Sequence, residues 1–267
     1  DPASKAMSQD HHTPQAFHRP NYFLEFIVVF LGVTISFWLS EWNEGRKIEE
    51  LHKEDVVSLL EDLDRDQERL EHVFNQAKQG MTRSQRALDC TRDFRSGALD
   101  YTAFSDSLIQ IGYLYGYGTF FMNSATYKSL IGSTRIQEFP HDINKQVRDY
   151  YEYVSKRVED NNDIVDAIAL RYYNEFHPYC LMANDNDGIL SDEEKRRYFN
   201  APDTREHYSD LAFYHQTLAL HDRTEVHMMQ IKQYISIRDG LEVQLMAYAE
   251  ELLGHPIDLG GSSLADT

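Results

Sequence analysis

One acidic segment in the C-terminal half has the residue spacing of a calcium-binding loop. It runs from Ala183 to Glu194, and an EF-hand loop takes its ligands from positions 1, 3, 5, 7, 9 and 12. The candidate ligands are the side chains of Asp185, Asp187, Ser191 and Glu194 and the backbone carbonyl of Ile189, with Gly188 at the sharp turn. Ala183 stands where the first carboxylate belongs, and a solvated Asn/Asp turn ahead of a helix would contain the same residues. Both interpretations stay open, and calcium is the one cofactor that the sequence suggests.

The strong catalytic and nucleotide-binding motifs are absent from the sequence. It contains no His-Glu-x-x-His, no Gly-x-Ser-x-Gly and no Gly-rich loop ending in Lys-Ser or Lys-Thr. Among its 12 histidines, His215, His221 and His227 are six residues apart, which spreads them around a helix. Glu-x-x-His pairs begin at Glu49 and Glu138, and a chain with 44 acidic residues contains such matches by chance. We therefore predict a protein that is not an enzyme, with no catalytic residue and with histidines at the surface or in the core.

The charge balance excludes several classes of partner. The 267 residues include 44 Asp and Glu against 26 Lys and Arg, a formal net charge of −18. Proteins that bind nucleic acid or anionic lipid headgroups through a surface patch need clustered basic residues. Hydrophobic residues make up 42% of the chain, which is enough to form a core. The sequence thus predicts a folded acidic protein that does not bind nucleic acid.

An uncharged apolar stretch near the N-terminus has the length and flanks of a membrane-spanning helix. Residues 26–39 carry no charge, and with its flanks the stretch covers 21 residues, roughly 31 Å of helix. Tyr22 at one end and Trp38 and Trp42 at the other are typical of membrane interfaces. A buried core helix or a cleaved signal peptide are the alternatives, although the residues after Leu39 make a poor cleavage site. We predict a transmembrane helix over residues 21–43, in contact with the lipid bilayer.

Small residues recur every four positions along this predicted span. Gly32, Ser36 and Ser40 would form a face on which another transmembrane helix can approach closely, or they would simply meet lipid. Glu25 lies near the start of the span, either at the level of the headgroups or paired with a polar group of a neighbouring subunit. These four residues are the predicted positions of helix packing within the membrane.

The orientation of the span and the state of the cysteines are left open by the residues themselves. Two basic residues precede the span and three follow it within twenty residues, so their distribution does not choose a side. Cys90 and Cys180 both lie in the large C-terminal part. They would be free to form a disulfide in an oxidising compartment and would otherwise be two ordinary buried thiols.

The rest of the chain shows the periodicity of helices. Apolar residues recur at helical spacing from Ile48 to Ala77, so we predict that the span continues as a long stalk helix to about Gln79. Thr82 is then predicted to cap a second helix that ends near Gly97. Further helices are predicted at 101–111, 124–131, 140–176 and 193–199, and from a cap at Asp203 or Thr204 to Leu253, where Gly240 is a candidate interruption.

The fold class predicted from these patterns is all-α. No hairpin turn between alternating strands is visible, which favours a transmembrane helix that continues into a stalk and a helical-bundle extramembrane domain. The predicted divisions are an N-terminal arm (1–20), the transmembrane helix (21–43), the helical extramembrane domain (44–253) and a flexible Gly/Ser tail (254–267).

Two segments share the pattern of a known bacterial family. Glu25 to Gly32, followed by Trp42-Asn-Glu-Gly-Arg-Lys47, has an acidic start, a mid-span glycine and a Trp-Asn-Glu-x-Arg exit. The segment Thr126-Tyr-Lys-Ser-Leu-Ile-Gly-Ser-Thr134 is similar to Thr-Tyr-x-x-Leu-x-x-Ser-Gly, with a threonine in place of the last glycine. The chain thereby resembles the uncharacterised family called domain of unknown function 6090. The resemblance implies a single-pass protein of the bacterial inner membrane, with a cytoplasmic N-terminus and a periplasmic helical domain, and it implies no activity.

Together these features predict a structural role. We expect a single-span accessory subunit whose helical domain packs on or bridges other subunits of a larger membrane complex, respiratory or photosynthetic in kind. The small-residue face, the acidic stalk and 17 tyrosines favour this function, since tyrosine is enriched at protein interfaces. The alternative is a membrane-anchored sensory or ligand-binding domain, because a helical bundle can hold a small molecule between its helices.

Overall fold

The structure, a computed structural model of the chain, is helical in the regular elements that it describes. It describes residues 22–114, 118–179 and 190–256, and no β-strand occurs within these ranges. The α-helices are α1 (Tyr22–Ser96), α2 (Tyr101–Ile111), α3 (Ala125–Gly132), α4 (His141–Arg148), α5 (Ser155–Arg171), α6 (Asp192–Asn200), α7 (Pro202–Ser209) and α8 (Leu211–Leu253). A 3₁₀ turn, Arg135–Glu138, precedes α4. The all-α class predicted from the sequence is confirmed.

The chain divides into two compact units, residues 1–50 and residues 51–267. In the first unit, which is described from Tyr22 onward, the side chains of α1 are exposed at nearly every position. In the second unit, α1 buries one face, with Val56, Leu59, Leu63 and Leu70 among its core residues. Their spacing of three, four and seven residues is that of one side of a helix packed against a core.

Helix α1 is longer than the sequence predicted. The predicted end near Gln79 and the predicted second helix after Thr82 are both wrong, because one helix continues to Ser96. Thr82 Oγ1 donates a hydrogen bond to the Lys78 carbonyl (3.1 Å) inside this helix and caps nothing. Gly80 is buried, and packing of the helix on both sides of it outweighs the roughly 1 kcal/mol that a glycine costs there.

The last long helix begins later than predicted. Asp203 and Thr204 lie inside the short helix α7 and cap nothing of α8. The cap of α8 is Asp210, whose carboxylate accepts a hydrogen bond from the Ala212 backbone N–H (2.6 Å). Gly240 does not interrupt α8, which continues through it to Leu253.

Residues 141–176 form one helical run that contains two wider turns. π-helical turns occupy Asp149–Val154 and Tyr172–Phe176, on either side of α5. A π turn contains more residues than an α turn, so consecutive side chains point in more similar directions. Each turn buries two consecutive tyrosines, Tyr150 and Tyr151 in the first and Tyr172 and Tyr173 in the second. The sequence predicted the extent of this run but not its π turns.

Within the second unit, α1 and α8 lie antiparallel. Hydrogen bonds join Ser84 Oγ to His221 Nδ1 (2.9 Å), the Leu63 carbonyl to Arg238 Nε (2.9 Å) and His52 Nε2 to Tyr248 Oη (2.6 Å). The partner's residue number rises along α8 as the position falls along α1, which defines the antiparallel direction.

Two hydrophobic clusters form the core of the second unit. The first lies between α1, α3, α4, the first π turn and the C-terminal half of α8, with Leu59, Leu63, Val147 and Leu245 fully buried. The second is rich in aromatic residues, which are Tyr101, Phe104, Tyr172, Tyr173, Tyr179, Phe199, Tyr208 and Phe213. The π turns supply tyrosines to both clusters.

Arg238 provides a test of the pairing between α1 and α8. Its side chain is 2% exposed, and it donates from Nε to the Leu63 carbonyl (2.9 Å) and from Nη2 to the Glu242 carboxylate (2.8 Å). Lysine carries its three donors on one nitrogen and cannot reach both acceptors as Nε and Nη2 of the guanidinium do, so Arg238→Lys should lower the unfolding free energy by about 2–3 kcal/mol. Arg171→Lys, at an exposed ion pair, should change it by less than about 0.5 kcal/mol. Denaturant unfolding of the full chain in mild detergent, followed by helical circular dichroism, measures both, and equal effects would contradict this role of Arg238.

Candidate functional site

The first candidate site is the apolar surface of the first unit, residues 22–40. An 18-residue window of α1 has a mean hydropathy of 2.1, and none of it is buried. Its large side chains face outward; Phe23 is 72% exposed, Phe26 66% and Trp38 64%. Within the described ranges, α1 is the one helix whose length and composition allow it to cross a membrane.

Aromatic residues lie at both ends of this surface, as the sequence predicted. Tyr22 is the first residue of α1 and Trp42 follows the apolar stretch, and both side chains are exposed. The Arg46 guanidinium lies 5.4 Å from the centre of the Trp42 ring and 3.4 Å from the Glu50 carboxylate. A cation stacked on an exposed indole is suited to a membrane interface, because the ring can contact an apolar environment there while the charge stays in water.

The predicted small-residue face is open. Gly32, Ser36 and Ser40, together with Val29, Val33 and Phe37, line a groove of about 500 Å³. A methyl group added at Gly32 would meet no atom of the described residues within 4 Å. Ser36 Oγ donates to the Gly32 carbonyl (2.8 Å), so its hydroxyl is already satisfied and the face offers close approach rather than free hydrogen-bond donors. Glu25 lies in the first turn of α1, where a negative charge is favourable.

Of the predicted calcium loop, the structure describes only the C-terminal end, so calcium binding stays a prediction. Asp185, Asp187 and Ile189 lie outside the described residues. Ser191 and Glu194 form the capping box of α6: Glu194 Oε2 accepts from the Ser191 backbone N–H (2.8 Å), and Ser191 Oγ accepts from the Glu194 N–H (3.3 Å). Hydrogen bonds from Ser191 lower the pKa of the Glu194 carboxyl. These two residues therefore start a helix, which is also the role that the turn interpretation assigns to them.

Of the two cysteines, only Cys90 lies within the described residues. Its thiol is buried and donates to the Ala87 carbonyl (3.2 Å). Burial raises the pKa of this thiol to about 11, which keeps it protonated and unreactive at neutral pH. Because Cys180 lies outside the described residues, its pairing with Cys90 stays a prediction.

A second candidate site, which the sequence analysis missed, is a pair of buried aspartates one turn apart on α1. Asp66 Oδ1 accepts a hydrogen bond from the Asn123 backbone N–H (2.8 Å), and its Oδ2 accepts one from the Tyr150 hydroxyl (3.0 Å). Asp62 accepts from the Asn123 side-chain amide (2.7 Å) and from the Thr126 backbone N–H (3.2 Å). The residue at the local cap position of α3, Ser124, makes no side-chain cap bond. Carboxylates from another helix thus fix the start of α3.

Burial changes the protonation equilibrium of Asp66. It raises the pKa of the Asp66 carboxyl from its usual 3.8 to about 6, against the hydrogen bonds from Asn123 and Tyr150, which favour the ionised form. Burial also raises the pKa of the Tyr150 and Tyr151 hydroxyls. Donors of the protein occupy both oxygens of each carboxylate, and the described residues contain no group of three or more His, Cys, Asp or Glu that could hold a metal. The hydrogen bonds of this pair order the backbone at the start of α3.

Side chains from three helices hold the irregular segment 118–123. The bonds run from His227 Nε2 to the Gly118 carbonyl (2.9 Å), from Asn162 Nδ2 to the Phe120 carbonyl (2.7 Å) and from Arg69 Nη1 to the Phe121 carbonyl (3.3 Å). Buried backbone groups outside helices and strands require such partners. With Asn123 bound to the aspartate pair, the segment is anchored along its whole length.

His227 and His177 are core histidines. Asn161 Nδ2 donates to His227 Nδ1 (2.8 Å), and the Asn161 oxygen accepts from Arg223 (2.8 Å), so the network assigns His227 a proton on Nε2 only. Burial lowers the pKa of His227 and lowers that of His177 to about 3. His177 Nδ1 is bound to the Tyr208 hydroxyl (2.9 Å) among aromatic rings. Both imidazoles are therefore neutral structural groups at neutral pH.

Comparisons with known proteins identify no relative. No family model matches the chain, and neither a curated protein nor a solved structure is similar to it. The resemblance to domain of unknown function 6090 therefore stays a prediction based on its two segments.

Asp66 predicts a specific pH dependence of stability. Its pKa is higher in the folded chain than in the unfolded chain, so its stabilising contribution is complete below about pH 4 and is lost as the pH rises to about 6. The loss is at most about 3 kcal/mol. Asp66→Asn, which is neutral at every pH, should remove this part of the pH profile, and unfolding of the full chain in mild detergent between pH 4 and pH 7.5 measures it.

The comparison must be made between variants, because buried histidines act in the opposite direction. Their lowered pKa values make the fold less stable as the pH falls below about 6.5. Asp222→Asn, at an exposed position of α8, is the matched control and should keep the wild-type profile. If Asp66→Asn and Asp222→Asn gave the same profile, the raised pKa of Asp66 would be wrong.

Proposed function

We propose that this protein is a single-span, membrane-anchored accessory subunit whose helical second unit packs on or bridges other subunits of a larger membrane complex. The observation that carries the proposal is the uncovered apolar stretch of α1, with a mean hydropathy of 2.1 and no buried residue in its 18-residue window. Burial of one large apolar side chain is worth about 1.5–3 kcal/mol. A row of them exposed to water would drive aggregation, whereas the bilayer and the helices of other subunits provide a matching surrounding.

The location that we propose is the bacterial inner membrane, with the N-terminus in the cytoplasm and the second unit in the periplasm. The family resemblance of the exit segment 42–47 supports this orientation. Exposed aromatic side chains at both ends of the apolar stretch support a helix that reaches both interfaces.

Partner binding within the membrane is assigned to the face of Gly32, Ser36 and Ser40. Among the residues that the structure describes, none has an atom that fills the groove at Gly32, and helices in lipid associate chiefly by close packing over small residues. A non-enzymatic role is supported by the buried polar groups of the second unit. Asp62, Asp66 and His227 all bind backbone or side-chain groups of the fold itself.

The space between α5 and α8 is too small for the ligand that the alternative, a small-molecule sensor, would hold between these two helices. The enclosed cavity between α5 and α8 has a volume of about 10 Å³ and is lined by Val165, Ile168, Leu220, Arg223, Thr224 and His227. That volume is room for about one water molecule, far below the several hundred Å³ of a metabolite site.

Purification from native membranes in mild detergent tests the proposed function. We expect other membrane subunits to co-migrate with this chain in stoichiometric amounts. Ser36→Leu fills the small-residue face and should lower the yield of co-purified subunits at least about tenfold, since close helix approach is lost. A solitary particle of the chain's own mass, obtained from wild type, would contradict the accessory role.

Thr34→Leu is the matched control for Ser36→Leu. Thr34 Oγ1 donates to the Phe30 carbonyl (2.8 Å) as Ser36 Oγ donates to the Gly32 carbonyl (2.8 Å). Two residues along a helix turn the side chain to the opposite side. Thr34→Leu should leave the complex intact, and equal loss with both variants would contradict the assignment of the face.

A further inference from the structure

Phe121 is an exposed aromatic residue on a fixed backbone. Its side chain is 68% exposed, the highest value among the large apolar residues described in the second unit. The carbonyls of Phe120 and Phe121 are bound by Asn162 and Arg69, and Asn123, two residues after Phe121, is bound by the aspartate pair. Since its backbone is already ordered, a partner that covers the ring has little conformational entropy to overcome.

A groove lies directly beside this ring. It has a volume of about 550 Å³ and is lined by Glu68, Arg69, His72, Val73, Thr119 and Phe121. Val73 is buried at its floor, while Glu68, Arg69 and His72 are exposed at its rim. The surface therefore combines a protruding apolar residue, a depression with an apolar floor and a charged rim, which are the parts of a protein interface.

The charges at the rim are those of a self-complementary surface. Glu68 and Arg69 are neighbours of opposite sign, so a two-fold axis through this face can set Glu68 of one copy against Arg69 of the other. Elsewhere a formal net charge of −18 opposes the approach of two copies. At the rim of this groove one acidic and one basic side chain lie together, which lessens that repulsion locally.

We propose that this face, residues 68–73 with 119–121, is an interface between two copies of the chain. Phe121 of each copy enters the groove of the other, and the same patch serves both sides of the contact, as a two-fold dimer requires. The contact is independent of the small-residue face of α1, which is assigned to other subunits.

The mass of the full chain in mild detergent, measured by light scattering over a range of protein concentrations, tests this interface. Wild type should reach twice the chain mass. Phe121→Asp should raise the dimer dissociation constant at least about 100-fold, because it removes the aromatic anchor and adds a repulsive charge on both sides of the axis. Val243→Asp, at a side chain 67% exposed on α8, is the matched control and should leave the dimer unchanged.

A second pair of variants tests the charge complementarity. Glu68→Arg should weaken self-association strongly, because it sets an arginine against Arg69 of the other copy, and Glu68→Gln, which only removes the attraction, should weaken it less. Helical circular dichroism of each variant establishes that it is folded. A wild type that stays monomeric, a Phe121→Asp dimer as stable as wild type, or a dimer lost through Ser36→Leu instead would each overturn the proposal. Failure of other subunits to co-purify bears on the accessory role alone and leaves this test unaffected.

Discussion

The rest of this molecule depends on one constraint, which is that an apolar stretch of α1 has to be kept out of water. A helix of 75 residues carries that stretch in its first unit and a core-forming face in its second. The first part has apolar side chains on every side of the helix, which suits lipid on all sides. The second has one apolar face and a solvated acidic face, which suits a protein core. This change in pattern along a single helix is the basis of the proposed membrane anchor.

In the second unit, charged side chains that are removed from water need hydrogen-bond partners within the protein. Asp62, Asp66 and Arg238 are all at most 3% exposed, and each makes several hydrogen bonds. A buried charge without such partners costs several kcal/mol, so these bonds hold the surrounding backbone in one arrangement. The two aspartates join α1 to the start of α3 and to the first π turn, and Arg238 joins α8 to α1. The hydrogen bonds of these buried side chains therefore specify which helices meet, and the hydrophobic clusters supply most of the stability.

Helix content was the part of the fold that the sequence could predict, because helical periodicity and capping residues are local signals. These local signals failed at helix ends, whose positions depend on tertiary packing. Gly80 lies inside a continuous helix, and the cap of α8 is Asp210 rather than Asp203. The π turns leave no signal in one sequence beyond two pairs of consecutive tyrosines. The sequence analysis also missed the aspartate pair, because the hydrogen-bond partners of Asp66, Asn123 and Tyr150, lie 57 and 84 residues away along the chain. The one signal in the sequence for this pair was that Asp66 occupies a position on the apolar face of α1.

The most direct measurement of the central claim is the accessibility of single cysteines from each side of the native membrane. In a chain whose native cysteines are replaced by serine, a cysteine is placed at Ser8, Val33 or Asp163, and a membrane-impermeant thiol reagent is applied to intact cells and to opened cells. In the proposed orientation, a single span predicts that position 163 is labelled as soon as the outer membrane is permeabilised. Position 8 should be labelled only after the inner membrane is also opened, and position 33 should be labelled in neither case. Labelling of positions 8 and 163 from the same side, or of position 33 from water, would contradict a membrane-spanning α1.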